Sequence, residues 1–257
     1  MIAVEDRPAV AKSLVSKPPL PREHGAWGIL LIPFATAVGA TGVFDVKVAL
    51  LLGSMLCFYI ARTSHLKQNV KWTMFLLAGS LAGAAPLLIV WHLWWLTAFG
   101  ALAIPLAFRK TERSIAMQLL AVCGLTLTAP AAWYAARGHL DARAFVLWLL
   151  NVLFFSGGVF YVKMHVAAAI RRSAENKLRS GAAVIIYYAA MICVLLVMML
   201  CRVISFWVLA AFAPVIGRAF LGVGRLRPVL RIKRLGWTEV AYSLVYAVVL
   251  IAAFRFG

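Results

Sequence analysis

Pro21-Arg22-Glu23-His24-Gly25-Ala26-Trp27-Gly28 is the last polar stretch before the chain turns apolar. It sets a cation, a carboxylate and an imidazole side by side at the start of a long hydrophobic run. Of the 257 residues, 64% are hydrophobic and 13% charged, and the mean hydropathy is +0.93. A soluble domain of this length needs a polar surface, which this composition cannot supply. The chain therefore reads as all-α, a polytopic membrane helix bundle. Residues 1–20 read as a disordered cytoplasmic tail, without the apolar core of a signal peptide. Residues 21–257 read as a single transmembrane domain.

A membrane helix needs ~20 mostly apolar residues. Nine segments qualify, at roughly 25–44, 46–63, 72–91, 92–108, 116–136, 144–163, 181–201, 203–222 and 239–255. Trp91-His92-Leu93-Trp94-Trp95 joins the third to the fourth as a tight interfacial turn, since Trp favours the headgroup level. The formal charge of +18 would suggest nucleic acid in a soluble protein. Here the cations have another explanation. All but five of the 26 lysines and arginines fall in the tail and the even-numbered connections. The five are Lys47, Arg137, Arg143, Arg202 and Arg255. Cationic loops stay inside, so the N-terminus is expected in the cytoplasm and the C-terminus outside.

Three matches recur at a spacing of four helices. Phe58-Tyr59-Ile60-Ala61-Arg62 ends the second and Phe160-Tyr161-Val162-Lys163 the sixth. Pro105 and Arg109 end the fourth, while Pro214 and Arg218 stand on the eighth. Pro33 and Pro130 interrupt the first and fifth. Their shared register predicts a four-plus-four internal repeat with a ninth helix. Gly79 and Gly83 form a Gly-x-x-x-Gly, and Gly157-Gly158 flattens the sixth helix. Both read as close helix packing, with room for a ligand beside the sixth as the alternative.

No carboxylate stands mid-span, which argues against a cation-coupled transporter. Only Glu5 and Asp6 in the tail are close together, so no paired carboxylates are placed to hold a magnesium-diphosphate. Cys57, Cys123, Cys193 and Cys201 make no Cys-x-x-Cys and read as small buried apolar residues. No metal site and no cofactor are expected.

The cations and histidines are more suggestive. Phe58, Arg62 and His65 share one face if the second helix extends that far. Tyr161 and His165 are four apart on the sixth, with Lys163 between them. Together they would line a cytoplasmic opening suited to phosphate, diphosphate or carboxylate. Topology and anionic headgroups also call for such residues, at ~1 kcal/mol each. Glu23 and Glu239 each read two ways. Each either complements a helix N-terminus, with Thr238 as N-cap for the second, or pairs with a cation across the bundle. For Glu23 the partners would be Arg62, Arg218 or Arg227. Arg22 and His24 complete the set.

The Pro21–Trp27 motif resembles that of the YwiC-like family of bacterial membrane proteins. Phe58–Arg62, Phe160–Lys163, Arg227-Pro228 and Arg234-Leu235-Gly236-Trp237-Thr238-Glu239 are similar to further stretches of that family. The resemblance covers most of the chain from residue 21. It implies a multi-pass inner-membrane protein and carries no assigned activity. More distantly, the topology resembles the UbiA superfamily of intramembrane prenyltransferases, nine-helix bundles with an inside N-terminus. Their loops after the second and sixth helices hold magnesium on a prenyl diphosphate through aspartates. Here those places hold Arg62, His65 and Asn69, and Lys163, His165 and Arg172.

The expectation is a protein that binds an isoprenoid or other anionic lipid in a cytoplasm-facing cavity, without magnesium. Its partners would be membrane lipids and not nucleic acid. The alternatives are a small-anion transporter and a non-catalytic assembly or scaffold component of a membrane complex.

Overall fold

The computed structural model describes residues 24–108, 114–170, 174–224 and 232–257. Among them every regular element is a helix. In chain order these are α1 (His24–Thr41), α2 (Val46–Leu66), α3 (Val70–Ile89), α4 (Trp95–Phe108), α5 (Ile115–Thr126), α6 (Thr128–Arg137), α7 (Ala142–Ile170), α8 (Ala174–Leu200), α9 (Phe206–Gly224) and α10 (Ile232–Phe256). Two of them, α5 and α6, form one apolar stretch, Ile115–Arg137, interrupted at Leu127. Pro130 explains the break, because it offers no N–H to the Thr126 carbonyl. With that stretch counted once, seven described helices are long and apolar enough to cross a membrane. The shorter apolar helices are Trp27–Thr41 within α1 and the 14-residue α4. Large side chains such as Phe75, Ile186, Trp207 and Val248 stand exposed on the outer faces. Such a surface suits lipid rather than water. This is a multi-pass membrane protein.

Each hydrophobic segment of the sequence corresponds to a helix, but the ends differ in two places that matter. Helix α7 continues past residue 163 to Ile170, which puts His165 inside the helix with Tyr161 and Lys163. Helix α10 begins at Ile232, well before residue 239. Thr238 is therefore no N-cap. Its hydroxyl donates to the Leu235 carbonyl within the helix. Glu239 lies two turns in and does not complement a helix start. The cysteines also divide. Cys57 and Cys123 are half-buried, whereas Cys193 and Cys201 are exposed. A thiol is apolar enough to face lipid without a partner.

Helix α1 is packed on several sides, against α5, α6, α7 and α10. Polar groups tie it in where its neighbours are apolar. The Thr128 hydroxyl donates to the Leu30 carbonyl at 3.0 Å, and Asn151 Nδ2 donates to Thr36 Oγ1 at 3.2 Å. At the far end Arg255 Nε donates to the Gly39 carbonyl at 2.6 Å. A cation there complements the C-terminal dipole of α1. Gly42, at φ +71°, lets the chain turn beneath that guanidinium. Asp45 caps α2 by accepting from Val48 N–H at 3.0 Å, with Lys47 Nζ 3.1 Å away. Burial pushes its carboxyl up, but these two contacts outweigh that and hold it below the usual carboxylate range.

The Gly-x-x-x-Gly of α3 does what its pattern suggests. Gly83 faces α2 so closely that an added Cβ would stand 3.2 Å from both the Leu50 carbonyl oxygen and Ser54 Cβ. Beside it the Ser54 hydroxyl donates to the Ser80 carbonyl at 2.7 Å. Because one obstacle is backbone, Gly83→Ala is expected to cost about 1–3 kcal/mol. Gly79→Ala, whose methyl would meet Cys57 Sγ at an ordinary 3.4 Å, should be near neutral. Thermal unfolding of the two variants in detergent would check this.

Candidate functional site

Two places hold unusual chemistry, and both lie toward the end of the bundle where α1 begins and α2 and α7 end. The first is an ion pair inside the helix packing. Arg218 of α9 reaches Glu239 of α10 through both terminal nitrogens, at 2.5 and 3.2 Å. The side chains are 9% and 23% exposed. The guanidinium lies over two rings at once, with its carbon 4.1 Å from the Tyr161 centroid and 4.4 Å from that of Tyr242. Tyr161 is buried, and its ring sits 4.4 Å from that of His165. His165 Nδ1 and the Tyr161 carbonyl are 3.0 Å apart.

Glycines make this cluster fit. An added Cβ at Gly222 would come 2.7 Å from Tyr161, at Gly157 2.9 Å from the Tyr188 hydroxyl, and at Gly158 3.4 Å from a Glu239 carboxylate oxygen. The flattened part of α7 thus makes room for the protein's own side chains. An arginine with bidentate carboxylate contacts and two aromatic faces is held firmly. Its role here is to clamp α7, α9 and α10 together.

The second place is a cavity of about 530 Å³ between α1, α2, α4, α5 and α7. Gly25, Ile29 and Leu30 line it from α1, and Met55, Phe58, Tyr59 and Arg62 from α2. Val122, Leu125 and Thr128 contribute from α5 and α6, and Val159 and Val162 from α7. At one end it is lined by Arg62, from the last turns of α2, and Gln118, from the first turn of α5. The later part of the opening motif is at this mouth too. Gly25 lines it, and the Trp27 ring packs edge-on against Tyr59 at 5.1 Å.

The residues singled out in the sequence therefore separate. Tyr161, His165, Arg218 and Glu239 meet in the ion-pair cluster. Arg62 lines the cavity. Lys163 is half-buried on α7, one turn beyond Val159, while His65 is exposed at the end of α2. Arg22, Glu23, Arg227 and the side chain of His24 lie outside the described residues. Tyr188 and Tyr242 join the cluster without a sequence signal. Among the described residues no three His, Cys, Asp or Glu side chains are grouped to hold a metal ion.

A second cavity, also about 530 Å³, adjoins the first and shares Met55, Phe58, Ala103, Gly124 and Thr128 with it. Every residue lining either cavity, except Val159 and Val162, falls between residues 20 and 133. Those residues match the family described as YwiC-like protein. The match is to this segment alone. The chain is also similar to "Uncharacterized protein YwiC" of Bacillus subtilis (strain 168), with 30% identity over 159 residues. That similarity covers 56% of this chain and 65% of the relative, a little under two thirds of its length. No solved structure matches. The matching segment thus contains α1 to α5, the first part of α6 and nearly all of the cavity wall. The ion pair lies beyond it.

Proposed function

We propose that this protein binds an isoprenoid or other anionic lipid, with the apolar chain in the first cavity and the head at Arg62. The observation that carries this is the make-up of that cavity, which is apolar along its length and has a guanidinium at one end. A chain drawn from the bilayer is already out of water, so it is held there by close packing against the cavity wall. A guanidinium suits a phosphate or carboxylate through two parallel hydrogen bonds. Lys163 stands on the adjoining flank of α7 and adds a second cation. In this reading the mouth faces the cytoplasm of a bacterial inner membrane, with the C-terminus outside, as the lysine and arginine distribution supports.

Nine spans in a four-plus-four arrangement with a ninth helix accord with the packing. Helix α2 touches α6 and α1 touches α7. Such a pair of contacts is what a two-fold relation between α1–α4 and α5–α9 would give, and it supports this reading. Among the described residues, the ends of α2 and α7 offer Arg62, His65, Lys163 and His165 and not the hard oxygen donors that magnesium needs. In this reading the cations meet the head directly.

Mass spectrometry of lipids carried by the purified protein tests this reading. An anionic lipid is expected to copurify with the native chain and to fall about tenfold or more in Arg62→Ala/Lys163→Ala, as charge-assisted hydrogen bonds of about 1.5–3 kcal/mol are lost. Bulk phospholipid alone, in equal amount in both proteins, would overturn it.

A further inference from the structure

We infer that the bound lipid has a single long chain, which continues past Met55 into the second cavity and reaches it from the bilayer between α3 and α4. This rests on the lipid-binding reading and adds the shape of the ligand and its route.

The second cavity is a crevice. Leu77, Leu81, Ala84 and Leu88 of α3 form one side, and Leu96 and Gly100 of α4 the other. These two helices pack on different neighbours, α3 on α2 and α4 on α5 and α6. The space between them is therefore a seam in the bundle. At its rim Leu81 is 69% exposed, so the seam faces the hydrocarbon and not another helix. Its floor is the wall shared with the first cavity, where Met55 and Phe58 stand. Methionine is unbranched and moves between rotamers easily, which suits a partition that one chain must pass.

Two features select the occupant. The first is charge: the route ends at Arg62, so the head is anionic and sits at that mouth. The second is length. From Gln118 at the mouth to Ala131 at the far wall, the helix rises about 20 Å at ~1.5 Å per residue. That is more than half of a hydrocarbon core ~30 Å thick. A chain that fills both chambers is as long as those of membrane lipids, and two chambers set end to end across five shared residues suit one chain rather than two side by side.

Gly100 provides the test. A Cβ added there meets nothing within 4 Å, so Gly100→Phe fills the crevice without disturbing the backbone. The probes are two palmitic acids, one with a photoreactive diazirine beside the carboxylate and one with it at the far end. Each is incubated with the full chain in detergent, photolysed, and mapped by peptide mass spectrometry. The far-end probe is expected to label residues 77–88 and 96–103, and the near-carboxylate probe residues 25–30, 58–62 and 118–125. Gly100→Phe should cut far-end labelling of α3 and α4 about tenfold and leave near-carboxylate labelling unchanged. Far-end labelling spread over outward residues such as Val197 of α8, and unaltered by Gly100→Phe, would overturn the inference. The underlying reading fails separately, as near-carboxylate labelling that Arg62→Ala does not reduce.

Discussion

Arg218→Ala is expected to be the most damaging single substitution in the bundle. It removes two hydrogen bonds to Glu239 and leaves that carboxylate, only 23% exposed, without its cation. Breaking one partner out of a buried pair costs about 3–5 kcal/mol, most of it from the charge left behind. The loss of contact with two rings adds to this. Thermal unfolding in detergent, or yield from the membrane, should show it clearly. Removing both charges should be much milder. In Arg218→Met/Glu239→Leu no charge is stranded, and apolar pairs of similar volume are often neutral replacements. If the double variant recovers stability and still retains lipid, the pair is a clamp. A stable double variant that has lost its lipid would show that the pair serves the ligand as well.

Gly222→Leu should come next. Its Cβ would stand 2.7 Å from the Tyr161 ring, which has no free direction to move. Arg218 covers one part of that ring, His165 sits 4.4 Å away, and the residue is buried. Overpacking of this kind costs about 1–3 kcal/mol, and it also displaces the guanidinium from its aromatic seat. Gly217→Leu is the matched control on the same helix. An added Cβ there meets nothing within 4 Å, so its melting temperature should stay close to that of the native chain.

The membrane helices were legible because lipid imposes length and apolarity on each of them. Two helix ends were not. Basic residues around Arg231 to Arg234 look like a loop, yet α10 already begins at Ile232. That shift turned Glu239 from a residue at a helix start into one inside the packing. Pairing of Glu239 across the bundle was one of two readings of the sequence, and packing decided between them. The expectation of one opening lined by Lys163 and His165 together could have been refined from periodicity alone. Two residues apart on a helix, they point about 200° from one another. The cavity left little trace, since its wall is made of the same Leu, Val, Ala and Gly as the core. The useful hint was an excess of small residues, Gly25, Ala103, Ala121 and Gly124, along facing helices. Tyr188 and Tyr242 gave no hint at all, because an aromatic residue in an apolar helix reads as packing.

Helix α7 is a party wall. Val159 and Val162 face the cavity on one side, while Gly157, Tyr161 and His165 face the aromatic and ionic network on the other. An occupant of the cavity and the Arg218–Glu239 pair would therefore meet different flanks of one helix. A change in the packing of α7 is expected to reach both. The cavity, almost all of it in the segment that matches the YwiC-like family, and the ion pair beyond that segment share this one wall.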